Sequence, residues 1–224
     1  MSERDDTGYL IMEHLESPSL ENRIAQNSKM PLAGCLAPVQ LLAAHVGSGL
    51  QAAYSNHSIH FDITPKNILL AECVLPSGLL FMAKVLDFAS SRRRTTTEKI
   101  SGAPKSRGNL NYVTPEIARQ RAEMADARTD KFSLGVALYE ALTGTRPFQR
   151  DTFAETLQAI CEEEPLSLGK LASGLPSSME AALRRAFLFG AVLVGGVTKI
   201  TATPSTDTAL KNLAIESVQR GASP

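Results

Sequence analysis

The sequence predicts an α+β fold, mainly helical, with one small β-hairpin. Three observations predict it. Between Pro38 and Tyr54 apolar residues recur at steps of three and four, which lines one face of a long helix. From Asp130 to Thr143 they occupy nearly every face, as in a helix at the centre of a domain, and Gly144 stands where that helix should stop. Between the two, Ile68-Leu69-Leu70 and Phe81 to Leu86 flank Pro76, Ser77 and Gly78, the pattern of two strands around a turn.

The elements follow in order. Gly8 to His14 ("GYLIMEH") is short and apolar and predicts a strand. Ser19 is placed to cap a small helix that ends near Asn27. In the long helix the stripe is Val39, Leu42, Ala43, Val46, Leu50 and Ala53, weakened at Gly47 and Gly49 by about 1 kcal/mol each relative to Ala. After the hairpin, Asp87 to Asn111 turns polar and basic without periodicity and predicts a long loop; its run Arg92-Arg93-Arg94 reads as a solvated charge cluster. Beyond the central helix, Thr152 with Glu155 and Ser177 with Glu180 have capping-box spacing, each opening an amphipathic segment. The last residues are rich in Thr, Ser and Ala, with a weak helical stripe at Leu210, Leu213, Ala214 and Val218.

Composition narrows the classes. The 224 residues are 43% hydrophobic and 21% charged, enough apolar material for one large domain or two small ones. Lys plus Arg and Asp plus Glu each total 23, so no net field selects nucleic acid, an anionic membrane or an acidic substrate. Cys35, Cys73 and Cys161 are odd in number and far apart, as reduced thiols of a cytoplasmic chain would be. The charged start "MSERDDTGYL" lacks signal-peptide architecture, so secretion is not expected. The apolar run from Ala186 to Val197 is twelve residues long, with three glycines. A bilayer span needs about twenty, and a membrane anchor is not expected.

The chemistry concentrates in His57 to Leu70, "HSIHFDITPKNILL". His57, His60 and Asp62 are zinc-type donors, but Pro65 and the following Ile-Leu-Leu imply a loop running into a strand, which works against the two imidazoles converging. The other reading comes from the order of the elements: a long helix, His-x-Asp, an Asn five residues after that Asp, a hairpin, then Asp-Phe.

His60-Phe61-Asp62-Ile63-Thr64-Pro65-Lys66-Asn67 resembles the catalytic loop of the protein kinases, Asp87-Phe88-Ala89 resembles their Asp-Phe-Gly, and Thr114-Pro115-Glu116 their Ala-Pro-Glu. Asp130 to Glu140 followed by "LTGTRPF" is similar to the central helix of bacterial-type serine/threonine kinases. Singly these motifs are weak; in this order and spacing they are specific. The resemblance runs from Tyr9 to about Phe187 and implies a kinase-like domain over 1–187, equivalent to the large C-terminal lobe, with 188–224 as a divergent tail. It also implies that Asp62 is the catalytic residue, orienting the substrate hydroxyl, and that Asn67 and Asp87 hold Mg²⁺. The backbone of Glu13 and Leu15 would meet the adenine of ATP, with Leu69 as the apolar floor. His60 is expected to be a packed scaffold residue, and His14, His45 and His57 carry no assigned chemistry.

The implied function is transfer of the γ-phosphoryl group of Mg-ATP to Ser or Thr hydroxyls of a protein substrate. The sequence departs from the family in three places: Phe61 replaces an Arg, Thr64 a Lys, and Ala89 a Gly. The Gly-rich loop and strand Lys that cover the phosphates have no counterpart before Tyr9, and no later Arg can be placed opposite Glu116. A half-kinase, truncated on its N-terminal side, is therefore expected. The alternative is an inactive kinase-like lobe that binds a protein partner, or a gene fragment.

Overall fold

Residues 13–26, 36–75, 78–88, 92–93, 109–168 and 177–192 are described by the structure, a computed structural model. The predicted strand at 8–14 lies outside them except for Glu13 and His14, which have no regular structure, and the stripe at 210–218 lies outside them altogether.

Helix α1 (Leu20–Gln26) starts where the cap was expected: Ser19 Oγ accepts the Asn22 N–H at 3.2 Å. Helix α2 (Leu36–Ser55) buries the predicted stripe, with Val39, Leu42, Ala43, Val46 and Leu50 all inside. Gly49 faces open space, so it contributes nothing to packing. The chain leaves α2 through His57, whose φ of 57° turns it sharply into β1 (Ser58–Ile59).

Strands β2 (Ile68–Leu75) and β3 (Gly78–Val85) form the predicted hairpin, longer than expected, with Ile68 opposite Val85 and Leu75 opposite Gly78. Ile68, Leu70 and Ala83 are buried in the common core with α2. Leu69, Ala71, Met82 and Lys84, paired Leu69 with Lys84 and Ala71 with Met82, therefore lie on the opposite face. The predicted long loop contains a strand that had no periodicity to reveal it: β4 (Arg92–Arg93) pairs antiparallel with β1, Ser58 opposite Arg93 and Ile59 opposite Arg92.

A short turn of helix, α3 (Pro115–Ala118), precedes the central helix α4 (Ala127–Thr143). Asp126 caps α4 by accepting the Arg128 N–H at 2.8 Å, and Gly144 ends it at φ 70°, where its N–H reaches Glu140 O at 2.7 Å. From Thr129 to Leu142 every residue of α4 except Lys131 is buried. Helix α5 (Phe153–Glu162) begins with the predicted Thr152–Glu155 box, both of its hydrogen bonds formed.

Helix α6 (Ser177–Val192) corrects the second box. Ser177 is already its first helical residue, and Glu180 accepts from Ser167 Oγ at 2.7 Å. The helix runs on past 187, where the tail was expected to begin. It lies so close to α4 that a Cβ on Gly135 would sit 2.9 Å from Ala186 Cβ. Beside that contact the rings of Phe132, Phe148 and Phe187 pack at 5.6 to 5.8 Å between centroids. Among the described residues, no helix is long and apolar enough to cross a membrane.

Candidate active site

The loop from His60 to Asn67 is held from inside by α4. Asp130, fully buried, accepts the His60 N–H at 2.9 Å and the Phe61 N–H at 2.8 Å, one on each carboxylate oxygen. Tyr54, in the last turn of α2, donates its hydroxyl to Asp130 Oδ2 at 3.2 Å. Burial pushes the Asp130 carboxyl above the usual carboxylate range, and these donors pull it part of the way back. Phe61 sits at φ 66°, left-handed backbone that is uncommon for a bulky residue and is held here by the bond from its N–H.

His60 is the packed scaffold residue expected. Its Nδ1 accepts the Asp62 N–H at 3.2 Å, which leaves the proton on Nε2, 2.8 Å from the Leu86 carbonyl. The Phe88 ring meets the imidazole edge-on at 4.6 Å. His60 thus touches the residues on both sides of Asp87, itself exposed at φ 62°. With both ring nitrogens engaged in protein hydrogen bonds, His60 has no lone pair for zinc. Among the described residues there is no cluster of three His, Cys, Asp or Glu suited to a metal.

Asn67 lies in the 3₁₀ turn Pro65–Asn67 and is buried. Its amide donates to Asp62 O at 2.9 Å and to Asp62 Oδ2 at 3.1 Å, while its own carbonyl accepts the Leu86 N–H at 2.8 Å. Asp62 and Asn67 are therefore in direct contact, and the backbone of Asn67 is tied to the residue before Asp87. The amide nitrogen faces Asp62. Thr64 is buried beside them and brings no charge.

Glu13 and Leu15 lie beside the hairpin. Lys84 Nζ grips both carboxylate oxygens of Glu13 at 2.7 Å, a contact 71 residues apart in sequence that no local pattern signals. Farther along, Leu70 N–H donates to Pro18 O at 3.0 Å and Ser19 pairs with Leu69. Leu15 and Leu69 are both half-buried.

Two further carboxylates, Glu116 and Glu140, are buried. Glu116 accepts Thr129 Oγ1 at 2.7 Å, but among the described residues its Oε2 has no partner, nor has Thr114 Oγ1. Glu140 takes a short hydrogen bond from the Tyr112 hydroxyl and the Arg146 guanidinium at 2.9 Å, with Arg146 5.8 Å above the Tyr112 ring. Burial, then the neighbouring Glu140 charge, holds the Tyr112 phenol well above its ordinary range. Sequence reading missed Glu140 and the anchoring role of Asp130. Their signal was available: carboxylates inside a helix that is otherwise apolar all round.

The protein kinase domain model matches residues 1–185. A probable serine/threonine-protein kinase of Clostridium perfringens is 27% identical over 183 residues, 82% of this chain and 25% of that protein. Serine/threonine-protein kinase PknB of Mycobacterium leprae is 27% identical over 80% of this chain and 26% of its own length. The tyrosine-protein kinase MasK of Myxococcus xanthus is 38% identical over 58% of this chain and 19% of its own length. The chain spans about a quarter of the length of the first two relatives.

Proposed function

The chain belongs to the protein kinase domain family, and from that premise we propose that it transfers the γ-phosphoryl group of Mg-ATP to Ser or Thr hydroxyls of a protein substrate in the cytoplasm. The observation that carries the reading is the joining of Asp62 to Asn67 through the Asn67 amide, with His60 bonded next to Asp87. In this reading Asp62 orients the substrate hydroxyl and accepts its proton. Asn67 and Asp87 hold Mg²⁺; two carboxylates and an amide oxygen nearby are the hard oxygen donors that Mg²⁺ prefers. The ion, when bound, supplies charge neutralisation for the phosphates. The backbone of Glu13 and Leu15 takes the adenine edge over Leu69, and the Lys84 grip on Glu13 steadies that segment.

Thr64 leaves the phosphoryl group without the cation that the family places there, so the rate is expected to be low. The test is incorporation of labelled phosphate from ATP into protein by the purified chain with Mg²⁺, repeated with Asp62→Asn. Labelling that disappears in the variant supports the role of Asp62, and labelling that persists removes it.

A second reading is a lobe that binds a protein partner without catalysis. It is favoured by two exposed large apolar side chains, Met82, 45% exposed on the face that carries Leu69, and Phe88, 38% exposed next to His60. A folded chain that shows no labelling and no response to Mg-ATP would favour it.

A further inference from the structure

We propose that Tyr54 is a positioning residue for the Asp62 loop: its hydroxyl orients the Asp130 carboxylate, which in turn holds the two backbone N–H groups that lead into Asp62. The proposal deepens the kinase reading and rests on Asp62 being the catalytic residue for its functional consequence, though not for its geometry.

Four contacts carry it. Tyr54 donates to Asp130 Oδ2 at 3.2 Å, and the Ala127 carbonyl lies equally far from the same hydroxyl. Its single proton therefore sits between the α4 backbone and the carboxylate. The oxygen it meets is the one that accepts the His60 N–H, and the other oxygen accepts the Phe61 N–H. The Tyr54 hydroxyl is a third donor to this carboxylate, and it further limits rotation about the Cβ–Cγ bond away from the setting that serves both N–H groups. The second of those groups belongs to the residue at φ 66°, which directly precedes Asp62. Loosening the carboxylate would free Phe61 to relax and turn Asp62 away from Asn67.

Tyr54 also joins two elements far apart in sequence, since Ala127 and Asp130 open α4 while Tyr54 closes α2. Its ring is half-buried against the core.

The test uses the full chain with Tyr54→Phe, which keeps the ring and removes the O–H. Amide hydrogen exchange at His60 and Phe61 should quicken by about tenfold or more, the scale of one hydrogen bond to a charged group. The proton resonances of both amides should move upfield, because each then meets a less well-oriented carboxylate. The Ala83 amide, bonded elsewhere in the core, should keep its rate.

Unchanged rates and shifts at His60 and Phe61 would overturn the proposal, as would uniform acceleration at all three amides. Incorporating 3-fluorotyrosine at position 54 strengthens the donor without losing packing and should shift both resonances the opposite way; no shift would count against the assignment. In phosphoryl transfer, kcat should fall with KM for ATP unchanged. If Asp62→Asn leaves transfer intact while the exchange result holds, the catalytic reading fails and the role of Tyr54 in the loop stands.

Discussion

Two carboxylates inside α4 meet the cost of burial in different ways. Asp130 is neutralised mostly by backbone N–H groups, and Glu140 by a phenol and a guanidinium. The difference predicts how each tolerates loss of a partner. Glu140→Ala would strand both the Tyr112 hydroxyl and the half-buried Arg146 charge, and is expected to cost about 3 kcal/mol. Tyr112→Phe leaves Glu140 with Arg146 and should cost about 1 kcal/mol. Urea unfolding of the two variants measures both values. At this scale the sequence was legible where chemistry is local: Asp62 and Asn67 stand five apart within one quoted stretch, and they meet there. Asp130 with His60, and Glu13 with Lys84, are about 70 residues apart, and only the fold joins them.

Helices were legible because burial writes its period into them, as in Val39, Leu42, Val46 and Leu50 along α2. The two-residue strand β4 was not, since a pair of arginines has no period to read, and its partner Ser58–Ile59 is as short. The Ser177 box failed because Ser177 lies within the helix, not ahead of it. Two predictions belong to the elements. Gly135→Ala pushes a methyl group into Ala186 and must part α4 from α6, which should cost about 1–3 kcal/mol in chemical denaturation. Where α2 meets the hairpin, His45 Nδ1 accepts the Ala83 N–H at 3.1 Å, and burial lowers its pKa below the ordinary 6.5. Only neutral imidazole can accept that bond. Stability from it is complete above pH 6.5 and is lost as pH falls through the lowered value. His45→Asn, with an amide oxygen in place of Nδ1 and no titration, should flatten this part of the stability profile. Asp130 is present in both chains, so its own titration cancels in the comparison.

For the molecule as a whole, the hairpin lies between the core beneath it and the face where nucleotide is proposed to bind. ATP with Mg²⁺ at about a hundred times its Kd should stabilise the chain by about 2.7 kcal/mol. A thermal shift assay reads this, and chelating the metal should withdraw it. The family was legible because several short motifs keep one order along the chain. What neither their order nor their spacing conveyed was the grip of α4 on the loop. Because one rod both fills the interior and holds the loop proposed to react, a lesion anywhere along it would look the same to a geneticist as a lost catalyst and as a protein that never accumulates. Screens for inactive alleles would gather in α4 whether or not the changed residue comes near a phosphate.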